Sequence, residues 1–243
     1  IELPDGSPGE YNVIEMNDSV WVVPLTHDGQ IALIHNYRYP LKTWCWEVPA
    51  GHVEPGQQPI DAAQMELLEE AGGRADNYRL LTSISTLNGI GSHHGSFFLA
   101  TGVRLGQPQP ENSEAIRVQT YPVADALAVA YSGQINDAMS VPALLLAAPH
   151  LTDLLSAQAA HLSGDHRAAD RYFTSLTRDP DTAFLGHIGL ARLALEKDEP
   201  DTALLAAHTA LDLRPKSALA ARQVMILEAE RGNWGAALPA LSV

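Results

Sequence analysis

Residues 20–35 alternate between short apolar runs and turn residues in the manner of two paired strands. Val20-Trp21-Val22-Val23-Pro24-Leu25 and Gln30-Ile31-Ala32-Leu33-Ile34-His35 flank His27-Asp28-Gly29, a hairpin signal because glycine takes the backbone such turns need. A helical period then takes over. Pro59 suits a first helical turn and Gly72-Gly73 a stop, which predicts a helix between them. Tyr78 to Ile84 and Gly95 to Thr101 read as further strands, Pro122 to Ser132 and Asp137 to Ala148 as helices. Strands interleaved with helices predict an α/β fold, a mixed sheet sandwiched between helices.

From about Leu151 the texture changes to Ala/Leu-rich helix with no strand signal, which divides the chain into an α/β domain over 1–148 and an all-α domain over 151–243. The second domain repeats. Ala203, Ala207, Ala210 and Pro215 stand 35 residues after Ala168, Tyr172, Ser175 and Pro180. A third unit begins near Ser217, with Gly232 and Ala237 in register. Gly164-Asp165, Lys197-Asp198 and Arg231-Gly232 mark turns inside successive helix pairs. The stretch from Asp179 to Leu213 resembles tetratricopeptide (TPR) proteins, with some similarity to the HemY type. An incomplete third unit leaves an apolar flank, so a contact with the first domain or with a protein partner is expected.

Composition narrows the function classes. With 46% apolar and 18% charged residues the chain is globular rather than disordered. The net charge of −14 is uneven: residues 1–149 carry 6 Lys/Arg against 17 Asp/Glu, and residues 150–243 carry 9 against 12. Such acidity argues against nucleic acid or an anionic membrane as a partner, since both select basic patches. A metal-dependent phosphate site tolerates it, because the bound cation supplies positive charge. A single cysteine, Cys45, excludes a disulfide framework, so a reducing, cytoplasmic compartment is expected. Set between Trp44 and Trp46, Cys45 reads as a packed strand residue. Val141 to Ala148 is too short for the ~20 apolar residues that span a bilayer. The chain opens at Ile1 without a methionine, which leaves room for a preceding segment.

The chemistry concentrates between Gly51 and Gly73. Glu66, Glu69 and Glu70 share one helix face through i, i+3 and i+4 spacing, and like charges so placed cost a few tenths of a kcal/mol per pair. Hard oxygen ligands with few neighbouring cations point to Mg²⁺ or Mn²⁺; a solvated acidic helix face is the ordinary alternative. The segment resembles the Nudix box, which runs Gly, five residues, Glu, seven residues, Arg-Glu, an apolar residue, any residue, Glu-Glu, any residue, Gly. Gly51, Glu66, Leu67, Glu69, Glu70 and Gly72 match; Gln57 and Met65 replace the first Glu and the Arg. Asn36-Tyr37-Arg38-Tyr39-Pro40, Trp46-Glu47-Val48-Pro49-Ala50-Gly51 and Ser132-Gly133-Gln134-Ile135-Asn136-Asp137-Ala138 are similar to the ADP-ribose pyrophosphatase branch.

That resemblance implies a Nudix fold and hydrolysis of a nucleoside diphosphate linked to another group, ADP-ribose or a related nucleotide sugar. It implies metal ligation by Glu66, Glu69, Glu70 and the Ala50 carbonyl, with Arg38 facing a phosphate or ribose and Glu47 contacting the sugar. It also implies a homodimer. The branch places an acidic general base on a loop after the box, yet no Asp or Glu lies between Asp76 and Glu111. His93 and His94 stand in that loop as candidate catalytic substitutes, at most one of them reaching the site because neighbours in an extended loop project oppositely. His52 reads as a turn residue. Gln57 lacks the charge of the family's Glu, and Met65 lacks the donors of its Arg. Three readings therefore stand: a Mg²⁺-dependent hydrolase slowed by its box, a non-catalytic nucleotide-binding module coupled to helical repeats, and a plain scaffold.

Overall fold

The computed structural model describes residues 1–110, 114–233 and 235. The strands are β1 (Ser19–Thr26), β2 (Gln30–Arg38), β3 (Thr43–Glu47), β4 (Ala50–His52), β5 (Gly73–Arg74), β6 (Asn77–Ser85), β7 (His94–Leu105) and β8 (Ile116–Pro122). The helices are α1 (Pro59–Ala71), α2 (Val123–Tyr131), α3 (Ser140–Leu162), α4 (His166–Leu176), α5 (Ala183–Glu196), α6 (Pro200–Leu213) and α7 (Ala218–Glu230). The strands join in one mixed sheet of order β3-β2-β1-β7-β5, with β4 on β1, β6 on β7 and β8 on β2. β1 and β7 run parallel, and the other pairs are antiparallel.

Alternation along β1 explains the layers. Val20 and Val22 face a core shared with Ala62, Ala63, Leu67 and Ala71 of α1. Val23 and Leu25, pointing the other way, pack with Ala143, Leu144 and Ala147 of α3. The sheet thus lies between helices as expected, with α1 on one face and α2 and α3 on the other. Predicted strands 78–84 and 95–101 are each longer by a few residues. β8 was not among the strands expected from sequence, although Ile116, Val118 and Tyr121 are the partly buried positions of a run otherwise exposed.

The helix expected to stop at Ala148 instead continues to Leu162. Pro149 lies inside it and removes one backbone donor, a defect of about 3 kcal/mol in an isolated helix. Burial of Ala147, Leu151, Leu154 and Ala157 on either side holds the helix together. By length and composition this 23-residue helix is long and apolar enough to cross a bilayer, contrary to the sequence reading. Its apolar stripe is occupied inside the molecule, against the sheet and against Phe173, Phe184 and Ile188. α3 also ties the two regions together, since it runs unbroken through residues 148–151.

Beyond α3 the helices pack in sequence, each on the next. The turns fall where the sequence placed them: Asp165 caps α4 by accepting from the Ala168 N–H, Asp198 takes a positive φ between α5 and α6, and Gly232 does so after α7. Ala237, assigned to a third repeat, lies outside the described residues.

Candidate active site

Sequence sets the boundaries of α1 locally. Pro59 opens it, and Gly72, left-handed at φ 63°, closes it by donating to the carbonyls of Leu67 and Leu68. Ala62, Ala63, Leu67 and Ala71 fix which face is buried, and this in turn aims Glu66 and Glu69 into a cleft of about 480 Å³. β4 runs beside that face. A Cβ at Gly51 would overlap the Glu66 carboxylate, so only glycine there leaves Glu66 its place beside the turn.

Glu70 departs from its neighbours. It is 2% exposed, and its Oε2 accepts from the Ala50 N–H at 2.7 Å. Burial pushes its pKa well above the ordinary carboxylate range, and Glu66 and Glu114 push the same way; Ala50 and Arg38 oppose them. Across the cleft, the buried Glu47 receives Arg38 Nε at 2.8 Å and 3.1 Å on its two oxygens, and Arg38 Nη2 completes a forked pair. Burial raises Glu47's pKa against the pull of Arg38, while the hydrogen bonds that Arg38 donates to Glu47 raise that of Arg38. Ser140, at the start of α3, accepts from the Val48 N–H at 3.0 Å, and Asp137 Oδ2 accepts from the Ser140 N–H at 2.7 Å. The residues after Glu47 are thereby pinned to the helix that continues into the second region.

Glu47, Glu54, Glu66, Glu69, Glu114 and Asp137 line the cleft, and Arg38 is the one lysine or arginine among its lining residues. Hard oxygen donors massed so heavily match Mg²⁺ or Mn²⁺ in kind. Among the described residues, however, no three His, Cys, Asp or Glu side chains are gathered at metal-holding spacing. Glu70 turns to Ala50 and Glu66 fills the space above Gly51, as like charges at close quarters favour.

The two loop histidines separate as their extended backbone dictates. His93 lines the cleft but is 5% exposed, with Ser19 Oγ at 2.9 Å from Nε2 and Thr86 Oγ1 on Nδ1. Both ring nitrogens are engaged, and burial lowers its pKa. His94 is exposed and faces Asp18, 3.6 Å away. Gln57 and Met65, the two departures from the box, touch each other: Gln57 Nε2 donates to Met65 Sδ at 3.3 Å, and Gln57 Oε1 accepts from the Glu54 N–H at 2.9 Å. A neutral contact fills the place where the resemblance implies an arginine.

Glu114 and Asp137 were not singled out from sequence. Glu114, two residues before β8, brings a carboxylate into the cleft just beyond the acid-free span between Asp76 and Glu111. No local pattern marked it. Asp137 stood inside the similar stretch 132–138, and this was a usable signal.

Residues 16–142 match the model of the NUDIX domain. The chain is 29% identical over 148 residues to an ADP-ribose pyrophosphatase of Mycobacterium tuberculosis, covering 60% of this chain and 72% of that protein. It is likewise 29% identical over 146 residues to an ADP-ribose pyrophosphatase of Bacillus subtilis, covering 59% and 79%. Among solved structures, an ADP compounds hydrolase superposes with a TM-score of 0.56 at 24% identity, over 62% of this chain and 82% of that one, a likeness of fold.

Proposed function

Because the chain belongs to the NUDIX family, we propose that it hydrolyses the pyrophosphate of a nucleoside diphosphate joined to a second group, ADP-ribose or a related nucleotide sugar. One observation carries this reading: Glu66, Glu69, Arg38, Glu47 and Glu114, from four separate segments of chain, line a single cleft. A scaffold has no use for six carboxylates massed around one arginine.

Although no three acids are gathered for it among the described residues, Glu66, Glu69, Glu70 and the Ala50 carbonyl are the groups that would hold a divalent cation, which when bound screens phosphate charge and polarises a phosphoryl oxygen. Arg38, braced by Glu47, orients a phosphate or the distal ribose at the opposite wall. Glu114 accepts the proton of the attacking water, a task for which His93 is unsuited with both its nitrogens occupied. Gln57 anchors the turn through the Glu54 N–H but adds no charge to the site. The Gln57–Met65 contact favours slow turnover, and it also favours a second reading, a nucleotide-binding module without catalysis.

The helices α3 to α7 support a tetratricopeptide-type role, a surface for a protein partner carried on the same chain. Incubation with ADP-ribose and Mg²⁺ or Mn²⁺ tests the main reading. AMP formation that vanishes in Glu70→Gln supports hydrolysis. Thermal stabilisation by ADP-ribose without AMP would transfer the case to the binding module.

A further inference from the structure

A second cavity, of about 550 Å³, lies where the sheet meets the later helices, away from the carboxylate cleft. Asp76, Asn77, Thr101 and Arg104 line it from β6, β7 and the turn before them; Asp181 and Phe184 come from the start of α5, and Arg214 and Lys216 from the α6–α7 turn. In a chain of net charge −14, three cations converge here. Both carboxylates are engaged already. Asp76 receives Arg104 at 2.8 Å and Arg214 at 2.9 Å on its two oxygens, while Asp181 pairs with Arg79 and accepts from Asn77.

The cavity is built, not incidental. Gly102 is the extra residue of a bulge in β7, since Thr101 pairs with Leu25 and Val103 with Thr26. Its φ is +69°, and a Cβ there would overlap Asp76 and crowd the Arg214 guanidinium. The bulge thus makes the space that Arg214 enters. Arg214 is 11% exposed, lies 4.3 Å over the Phe184 ring, and has one buried nitrogen, Nη1, without a hydrogen-bond acceptor. Burial lowers its pKa, and crowding by Arg104 adds to this against the pull of Asp76. Three cations against two carboxylates in the lining leave a local surplus of about one positive charge, since Arg79, which pairs with Asp181, is also shared by Asp179. A buried donor without an acceptor also calls for an explanation.

We propose that this junction is an anion site for a phosphate dianion or a phosphate monoester, seated between Arg104, Arg214 and Lys216. Its negative charge offsets the surplus, and an oxygen supplies the acceptor that Arg214 Nη1 lacks. Phe184, Leu213 and Pro215 offer an apolar wall to whatever the monoester carries. Since residues of both regions contribute, the ligand fastens the helices to the sheet.

The test is calorimetric titration of the whole chain in EDTA with inorganic phosphate and, separately, AMP. Without divalent cations the acidic cleft repels both probes, so failure of the hydrolase reading leaves this result intact. Saturable binding is expected, weakened about tenfold in Arg104→Gln and again in Lys216→Gln, and unchanged in Glu66→Gln. Both cationic side chains are surface-accessible and their variants fold, as circular dichroism checks. Equal affinity for the two probes identifies free phosphate as the ligand, and tighter AMP binding identifies a monoester. Absence of saturable binding, or binding indifferent to both substitutions, overturns the proposal.

Discussion

Two arginine–carboxylate contacts, Arg38–Glu47 in the cleft and Arg214–Asp76 at the junction, invert one another. In the cleft the carboxylate is buried, 4% exposed at the side chain, and the arginine is 42% exposed. At the junction the arginine is buried, at 11%, and the carboxylate is 33% exposed. Their surroundings invert as well, with carboxylates massed around Arg38 and cations around Asp76. In a buried pair the desolvated member sets what the site is short of, because it carries the larger burial cost. The cleft therefore lacks positive charge and the junction lacks negative charge. One globally acidic chain thus presents two sites of opposite appetite, and net charge reveals neither.

The largest effect should come from the excess charge of the cleft. Glu114→Gln is expected to reduce AMP formation from ADP-ribose by about 10²–10⁴-fold while leaving the melting temperature nearly unchanged. Undiminished turnover would remove Glu114 from the chemistry. Next comes the pair itself: Arg38→Met strands the buried Glu47 and should cost about 2 kcal/mol in urea unfolding. Arg214→Met should cost about 1 kcal/mol or less, since Asp76 keeps Arg104 and the methionine keeps its contact with Phe184. A larger loss at the junction than in the cleft would break the comparison.

A smaller gain tests the box. Gln57→Glu with Met65→Arg replaces the amide–thioether contact by a charged pair, and about a tenfold rise in kcat/KM is expected, since partners that orient metal ligands commonly matter to that extent. The smallest effect concerns His93. Burial holds its folded pKa below 6.5, so its contribution to stability is complete above that pH. As the pH falls below 6.5 the unfolded chain takes up a proton that the folded chain resists, and stability declines. Melting curves from pH 7 to pH 5 should fall less steeply in His93→Gln than in the parent chain.

The helix α1 was legible almost to the residue, because Pro59 and Gly72 act through backbone geometry that needs no distant partner. The glutamate spacing was legible for the same reason. Where the acids went was not. Glu70, identical in type to Glu69, turns into the core because the Ala50 N–H waits there, and Ala50 arrives through the pairing of β4 with β1. The extent of α3 was misread because Pro149 is a helix breaker in isolation, and only the packing on both sides of it overrides the rule. Glu114 went unnoticed because its role depends on β8 pairing with β2, which brings residue 114 to the cleft from far along the chain.

By itself the sequence determined the short-range features: the turn at Gly29, the caps of α1, the shared helix face of Glu66, Glu69 and Glu70, and the turns between the later helices. Each follows from neighbours within a few positions. Tertiary structure decided which carboxylates stay in the cleft, which histidine reaches it, and that Arg214 meets Asp76 beside Gly102. Those outcomes rest on desolvation and charge, which are set by atoms brought together from distant parts of the chain.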